Sequence, residues 1–294
     1  MDARTTHRAR RAAGLLACAL LAALPGAVAA QQQEAPAGRK AFRVCQDPNN
    51  LPFSNVKGEG IENRIAELFA KELGLPVDYY SFPQRLGFIR NTLRFRLPGE
   101  EYRCDIVMGV PVGFDQVSAT RPYYHSTYAL VFPKGKGMDQ VKSVDDFLKL
   151  EPSRLKGLKI GVFDRSPASD WLNKHGLVEQ GVPYQILNAD PAQYPGEIIE
   201  RDLATGRLDA AIVWGPIAGY FARRVSSPEL SVVPMRSEPG VRFDYQMAMG
   251  VRHGEPEWKR QIESLIDTKR PEILAILKEY GVPLVEDAAT PRRD

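Results

Sequence analysis

Residue types that commonly perform catalysis are sparse in this sequence of 294 residues. The motifs G-x-S-x-G, H-E-x-x-H, G-x-G-x-x-G and the phosphate-binding loop do not occur in it. Its histidines stand far apart, and each is better explained as a surface or loop residue than as a catalytic base or metal ligand. Carboxylates are numerous, but the sequence nominates no pair for acid–base chemistry. We therefore predict a binding protein without catalytic residues, metal or cofactor.

One loop carries candidate binding residues. Residues 47–54 (DPNNLPFS) follow the first predicted strand, and clefts of open α/β sheets lie at the carboxyl ends of their strands. This position predicts that Asn50, Phe53 and Ser54 line the mouth of a cleft. The alternative is a rigid turn built from proline and asparagine, and one loop can do both.

The first thirty residues have the three parts of an export signal. A basic start with four arginines precedes the apolar run 12–24, which is shorter than the roughly 20 residues of a membrane-spanning helix. Residues 27–29 (AVA) supply the small side chains of a cleavage site. A membrane anchor is the alternative, but a polar stretch follows. We predict a signal peptide at 1–30, a linker at 31–40 and a periplasmic protein that does not insert in the membrane.

The charge of the predicted mature protein is balanced. The signal peptide contains four of the chain's 39 basic residues and one of its 36 acidic residues, which leaves 35 of each. A formal net charge of zero argues against nucleic acid or an anionic membrane as the main partner. Cys45 and Cys104 are the cysteines that remain, and in an oxidising compartment they most simply form one disulfide.

Short β-rich runs alternate along the chain with amphipathic helical patterns, which is typical of βαβ units and parallel sheets. Two such units are predicted, the second after the composition break at 134–137 (KGKG). In a doubly wound sheet of order 2-1-3, the strands that hold Cys45 and Cys104 are neighbours. The predicted strands are 41–45, 77–82, 104–110, 159–163, 184–187, 209–214 and 245–251, and the predicted helices are 61–73, 87–95, 167–175, 196–205, 216–224, 257–265 and 271–280.

Four segments resemble the extracellular solute-binding proteins of family 3, the polar-amino-acid class. They are CDIVMGVP (104–111), TRPYYHSTYALVFPKG (120–135), LKGLKIGVFDRSPASDWL (155–172) and GRLDAAIVWGPIAGYF (206–221). Three further features resemble the subfamily that accompanies PQQ-dependent methanol and alcohol dehydrogenases, the MxaJ/XoxJ type. These are VCQDPNNLPFSN (44–55), the pair of cysteines, and WGP at 214–216.

The resemblance implies a fold. It is an α/β, two-lobed periplasmic binding protein of type II, in which each lobe is a mostly parallel sheet with helices on both faces. The strands 128–133 and 245–251 would cross between the lobes as a hinge. We expect lobe 1 to comprise 41–132 and 246–285, lobe 2 to comprise 133–245, and residues 286–294 to form a tail.

The departures from the amino-acid-binding pattern bear on the ligand. Ordinary members hold the ligand carboxylate with an arginine, and counting from Met108 places Phe114 there. Their aspartate for the ligand ammonium would fall at Trp214. Without these charges a cleft does not compensate the desolvation of a zwitterion, so we predict that tight amino-acid binding is lost. Phe114 and Trp214 are either interlobe packing or an aromatic surface for a protein or small alcohol-like ligand.

Four further residues complete the predicted cleft. Arg121 either substitutes for the missing guanidinium or is a structural residue near the hinge. Tyr123 is either part of the aromatic surface or hinge packing. Asp164 and Arg165, at the start of the second lobe, are included as candidate contacts.

Three functions remain open. The resemblance favours a periplasmic accessory protein that binds a PQQ-dependent methanol or alcohol dehydrogenase, including the lanthanide type, or its cytochrome c, and aids maturation or activation. The second hypothesis is the substrate-binding receptor of an ABC transporter for a small, weakly charged solute. The third, a lyase on the same two-lobed body, requires a cleft carboxylate with a raised pKa, for which the sequence shows no motif.

Overall fold

The structure is a computed structural model that describes residues 38–84, 87–185 and 192–286. The predicted signal peptide, most of the predicted linker and most of the predicted tail lie outside these ranges, as does part of the predicted strand 184–187. Within the described ranges, no helix combines the length and apolar character needed to cross a membrane.

The chain builds one lobe, passes to a second, and returns to the first. The elements before the first crossing are β1 (Phe42–Gln46), β2 (Asn49–Asn50), β3 (Ser54–Asn55), α1 (Ile61–Glu72), β4 (Val77–Ser81), α2 (Phe88–Asn91), β5 (Ile106–Pro111), β6 (Ser118–Ala119) and β7 (Tyr124–Pro133). Those of the second lobe are α3 (Val144–Leu148), α4 (Pro152–Gly157), β8 (Ile160–Phe163), α5 (Pro167–Lys174), a 3-10 turn (Val178–Gln180), β9 (Gly181–Tyr184), a π-helical turn (Ile198–Leu203), β10 (Ala210–Trp214), α6 (Gly215–Arg224) and β11 (Leu230–Pro234). The returning elements are β12 (Asp244–Val251), α7 (Pro256–Thr268) and α8 (Arg270–Glu279).

Each lobe contains a mostly parallel sheet. In lobe 1, β1 lies between β4 and β5 and pairs in parallel with both, while β12 joins β5 in antiparallel. In lobe 2, β8 lies between β9 and β10, again in parallel, and β7 joins β10 in antiparallel. The predicted two-lobed α/β fold is therefore confirmed, and the structure shows the strand order 2-1-3 in both lobes.

Strand β10 shows why the sheet of lobe 2 is covered on both faces. Ala210 and Ile212 belong to an apolar cluster with Phe147 of α3, whereas Ala211 and Val213 belong to the cluster that contains α6. Successive residues of a strand point to opposite faces, so a continuous apolar run produces a strand buried on both sides.

Helix α1 joins the core of lobe 1 to the loop 47–54. Ile61, Ile65 and Phe69 recur at helical spacing and are buried. Before them, Gly60 lies so close to the carbonyl of Phe53 that any side chain there would overlap it. The first turn of α1 is thereby fixed beside the loop.

Strand β7 crosses between the lobes in its middle. Residues Tyr124 to Thr127 pair with β12, and Tyr128 to Val131 pair with β10. The sequence predicts this crossing strand from 128 only, because 125–127 (HST) is polar. In the structure Ser126 and Thr127 are buried, and their hydroxyls donate to the carbonyls of Pro283 (2.6 Å) and Met235 (2.7 Å).

Two predicted helices are shorter in the structure. The pattern at 87–95 gives only the single turn α2, because the backbone leaves the helical region at Thr92 (φ −125°). The pattern at 196–205 becomes the π-helical turn. The elements β2, β3, α3, α4, β6 and β11 were not predicted. All of them except β11 contain too few residues for periodicity to reveal them.

The predicted disulfide is confirmed. Cys45 lies in β1 opposite Val107 of β5, and Cys104 lies just before β5, so strand pairing brings the two Cα atoms to 5.3 Å. Both cysteines are buried in an apolar cluster with Phe88 and Leu93. The bond therefore ties α2 and its flanking loops to the central strands of lobe 1.

A second contact besides the crossing strands joins the lobes. Gly219 of α6, in lobe 2, approaches the backbone carbonyl of Gly281, which follows α8 of lobe 1. Beside it, the rings of Tyr220 and Tyr280 stack with centroids 5.6 Å apart. The guanidinium of Arg223 donates to the carbonyls of Lys278 and Glu279, each at 3.1 Å. We call this group of residues the α6–α8 contact.

Substitution of Gly219 with alanine is expected to destabilise the protein by about 1–3 kcal/mol. Alanine normally stabilises a helix relative to glycine, but here its Cβ would overlap a backbone oxygen, and overpacking of that kind outweighs the helical gain. The measurement is urea unfolding. The matched control is Gly157→Ala, since a Cβ at that position meets no atom within 4 Å. Equal midpoints for the two variants would contradict the prediction.

Candidate functional site: the cleft between the lobes

A cleft of about 570 Å³ lies between the two lobes. It is bounded by residues at the ends of β1, β4 and β5 on one side and of β8, β9 and β10 on the other. Because these strands are parallel within each lobe, their carboxyl ends meet at the cleft, as expected for open α/β sheets. The lining includes six aromatic rings (Phe53, Tyr128, Phe163, Tyr184, Tyr194, Trp214), seven polar or charged side chains (Asp47, Asn49, Asn50, Gln84, Gln185, Gln193, Glu197) and Gly109.

The loop 47–54 forms the lobe 1 wall and is held by its own hydrogen bonds. The carboxylate of Asp47 accepts from the backbone amides of Asn49 (2.7 Å) and Gln84 (2.5 Å). The side-chain amide of Asn50 donates to Gln84 at 2.8 Å. The side-chain amide of Asn49 reaches across to the carbonyl of Ala192 in lobe 2 at 3.3 Å. The loop therefore closes over the cleft and touches the opposite lobe.

The aromatic rings of lobe 2 stand at the last residues of its strands. Trp214 ends β10 and packs edge-on against Tyr128 of β7, with centroids 5.5 Å apart. Phe163 ends β8 and Tyr184 ends β9, with centroids 6.3 Å apart. Burial raises the pKa of Tyr128 above its ordinary value, so this phenol stays neutral at physiological pH. The wall presents neutral aromatic surface.

The charged side chains that line the cleft are acidic. Among the described lining residues none is lysine, arginine or histidine, whereas Asp47 and Glu197 are present. Glu197 forms an ion pair with Arg201 at 2.8 Å, one helical turn away. The described lining thus contains no basic side chain that could bind a carboxylate or phosphate by charge.

Glu62, in the first turn of α1, supplies a third carboxyl group. Its Oε1 occupies the space where a side chain at Gly109 would stand, and Gly109 lines the cleft. Within the described chain this carboxyl makes neither a hydrogen bond nor an ion pair. Burial, with a contribution from the negative charge of Asp47, raises its pKa to about 8. Glu62 is therefore largely protonated at pH 7.

Comparison with known proteins places this geometry in a family. A solved structure of the periplasmic binding protein XoxJ from Methylobacterium extorquens AM1 is 37% identical to this chain, with a TM-score of 0.66, and the match covers 84% of this chain and 100% of that one. The chain belongs to the MxaJ/XoxJ-type subfamily of family 3 solute-binding proteins.

Two curated relatives support this membership in the MxaJ/XoxJ-type subfamily. Protein MoxJ of Paracoccus denitrificans is 28% identical over 257 residues, which cover 83% of this chain and 89% of the relative. Protein MoxJ of Methylorubrum extorquens is 29% identical over an alignment of 310 residues, which covers 95% of this chain and 97% of the relative. No protein-family model matches the chain. The membership links the protein to methanol dehydrogenase systems and to periplasmic binding proteins.

The structure distributes the predicted site residues of this MxaJ/XoxJ-type protein between cleft and core. Asn50, Phe53 and Trp214 line the cleft together. Ser54 is buried and donates to the carbonyl of Asp47 at 2.9 Å, which supports the loop from behind. Tyr123 lies in the core of lobe 1.

Four other predicted residues do not belong to the described lining. Phe114 packs on the apolar cluster around the disulfide, because the chain turns back after Pro111. Arg121 is exposed and pairs with Asp267 of α7 at 2.7 Å. Asp164 and Arg165 follow β8 and form a surface pair with each other at 3.6 Å.

The residues that sequence reasoning missed include the rings of Phe163, Tyr184 and Tyr194 and the carboxyl groups at the cleft. Asp47, Glu62 and Glu197 come from three separate segments, and only the fold brings them to one place. One signal was present: Gly109 interrupts an apolar strand, which often marks a close approach. The described residues contain no group of three or more His, Cys, Asp and Glu that could hold a metal ion.

Proposed function

We propose that this protein is a periplasmic accessory protein of a PQQ-dependent methanol or alcohol dehydrogenase system, including the lanthanide type. In this role it binds the dehydrogenase, or the cytochrome c that receives its electrons, and aids maturation or activation. The observation that carries the proposal is the 37% identity to XoxJ over the whole of that chain.

The cleft chemistry supports the same proposal. Family 3 receptors for amino acids need a guanidinium for the ligand carboxylate, and the described lining supplies no basic side chain. An unpaired carboxylate ion loses several kcal/mol on desolvation. A role in amino-acid uptake is therefore disfavoured.

A deletion strain and the purified proteins test the proposal together. Loss of the gene is expected to reduce methanol or alcohol dehydrogenase activity in periplasmic extracts, with restoration by the wild-type gene. The purified protein is expected to bind the dehydrogenase or its cytochrome c in a surface-immobilised assay. Unchanged activity in the deletion strain together with no association would overturn the proposal.

A transport receptor is the alternative, and the cleft volume of about 570 Å³ favours it, since small-molecule sites commonly fall between roughly 300 and 1,000 Å³. The two functions differ in what deletion removes. A receptor is required for uptake of one solute and leaves the dehydrogenase intact, whereas an accessory protein affects the dehydrogenase with uptake unchanged.

A further inference from the structure

The cleft combines three features that together select one class of ligand. They are a wall of aromatic rings, an excess of carboxyl groups, and one carboxyl group that the described chain leaves without a partner. None of these features depends on the association with a dehydrogenase, so the inference is independent of the proposed function.

The aromatic wall suits a cation with an apolar exterior. Phe53 contributes a ring from lobe 1, and Tyr128 and Trp214 contribute rings from the hinge side of lobe 2. Aromatic faces attract a cation within about 6 Å, and quaternary ammonium groups are bound by such surfaces in many proteins. Rings alone also accept neutral apolar molecules, so the charges decide between the two.

The charges favour a cation and disfavour an anion. Asp47 and Glu197 line the cleft, and the described lining offers no positively charged side chain to balance them. Arg201 balances Glu197 from outside the lining, which leaves the negative charge of Asp47 on the lobe 1 side. A low-dielectric cleft focuses such a field. The charge of the described lining would therefore repel a ligand that carries a carboxylate.

Glu62 gives the cleft a carboxyl group for which a bound cation would be the ionic partner. Glu62 is partly buried, and a carboxyl group withdrawn from solvent without a hydrogen-bond or ionic partner requires an explanation. Its Oε1 lies over Gly109, where any larger residue would displace it. The charge that acts on Glu62 is that of Asp47, from the loop after β1. Glu62 in turn contributes to the raised pKa values of the phenols of Tyr79, Tyr123 and Tyr124, which are its other titratable neighbours. None of these groups is positive.

We propose that the cleft binds a small alkylammonium cation that has no carboxylate, with its apolar face against Tyr128 and Trp214 and its charge towards Glu62. The ligand is a free solute rather than a modified side chain or a lipid, because Asn49 of the loop 47–54 already contacts Ala192 across the entrance. Choline and tetramethylammonium are suitable probes of this class.

Calorimetric titration with a matched set of ligands tests the proposal. Choline is compared with 3,3-dimethylbutan-1-ol, its neutral analogue of the same shape, and with glycine betaine, which adds a carboxylate. Choline is expected to bind at least about tenfold more tightly than either. Equal affinity for choline and its neutral analogue would sink the proposal, as would tighter binding of glycine betaine or arginine, or no binding of choline or tetramethylammonium at millimolar concentration.

Two variants locate the site. Trp214→Leu is expected to weaken choline binding about 3- to 30-fold, the range of one cation–π contact. Glu62→Gln is also expected to weaken choline binding and to remove the pH dependence of the affinity. The control Glu67→Gln, on the exposed face of α1, is expected to leave the affinity and its pH dependence unchanged.

The pH dependence has a definite sign. A bound cation favours the carboxylate form of Glu62, so binding at pH 7 releases a proton and affinity rises with pH until about 8. Proton release is measured by titration in two buffers of different ionisation enthalpy. Cation binding with no proton release, and unaffected by Glu62→Gln, would show that Glu62 takes no part.

Discussion

Replacing Asp105 with asparagine is expected to lower the free energy of unfolding by about 3–5 kcal/mol. This is the usual result of removing one partner from a buried ionic network. Asp105 is fully buried, and Arg39 (2.6 Å), Arg43 (2.8 Å) and Arg252 (2.5 Å) all contact its carboxylate. Asparagine keeps the volume but removes the charge, so three guanidinium groups lose their common counter-ion.

The effect of this substitution should depend on pH. Burial acts to raise the pKa of Asp105, but hydrogen bonds from Arg43 and Arg252 and the charge of Arg39 outweigh it and hold the pKa below its usual value. A carboxyl group with a lowered pKa stabilises the fold above its unfolded pKa of about 3.9, and this contribution disappears as the pH falls through the folded value. The difference between wild type and Asp105→Asn should therefore narrow in acid.

Urea unfolding at neutral pH and below pH 4 measures both effects. The matched control is Asp267→Asn, because Asp267 pairs with Arg121 on the surface, where both side chains are more than half exposed. Exposed pairs contribute about 0–1 kcal/mol. A loss for Asp105→Asn no larger than that of the control would contradict the assignment of Asp105 as the centre of the network.

Replacing Glu62 with glutamine is expected to stabilise the protein by about 3 kcal/mol at pH 7, since each unit of pKa shift corresponds to about 1.4 kcal/mol. The folded pKa is about 8 and the reference value is 4.5. A carboxyl group with a raised pKa makes stability fall as the pH rises from the unfolded to the folded value. Glutamine cannot ionise and removes this loss.

Unfolding curves between pH 4 and 9 test this second prediction. The gain from Glu62→Gln should be near zero at pH 4, grow through neutral pH and level off above about 8. Glu67→Gln on the same helix should show no such growth. A gain that is constant with pH would instead point to a packing effect. Stability lost to a site residue is common where the residue serves binding.

The main features of the fold follow from sequence pattern, whereas the composition of the cleft does not. Alternation of apolar strands and amphipathic helices predicts two α/β units with parallel sheets, and the count of cysteines predicts the disulfide. The strands and helices follow from local periodicity, and the disulfide follows because only two cysteines remain in the predicted mature protein. The approach of Glu62 to Gly109 depends on contact between a helix and a strand that are distant in sequence, and no periodic pattern records it.

Counting along the chain was also insufficient for individual site residues. The count from Met108 to Phe114 assumes the family's spacing, but the amide of Phe114 closes a turn onto the carbonyl of Pro111 at 3.1 Å. The ring then packs in lobe 1 rather than in the cleft. Trp214 lines the cleft because it ends a strand of a parallel sheet, which is a position that topology defines.

The α6–α8 contact has a consequence for how a ligand enters. Together with β7 and β12 it attaches the two lobes to each other on the side of the crossing strands. Two lobes held in this way keep the cleft preorganised, so ligand binding costs little conformational entropy. A ligand would then enter and leave mainly by displacement of the loop 47–54 at the mouth of the cleft, and less by a large rotation of one lobe against the other.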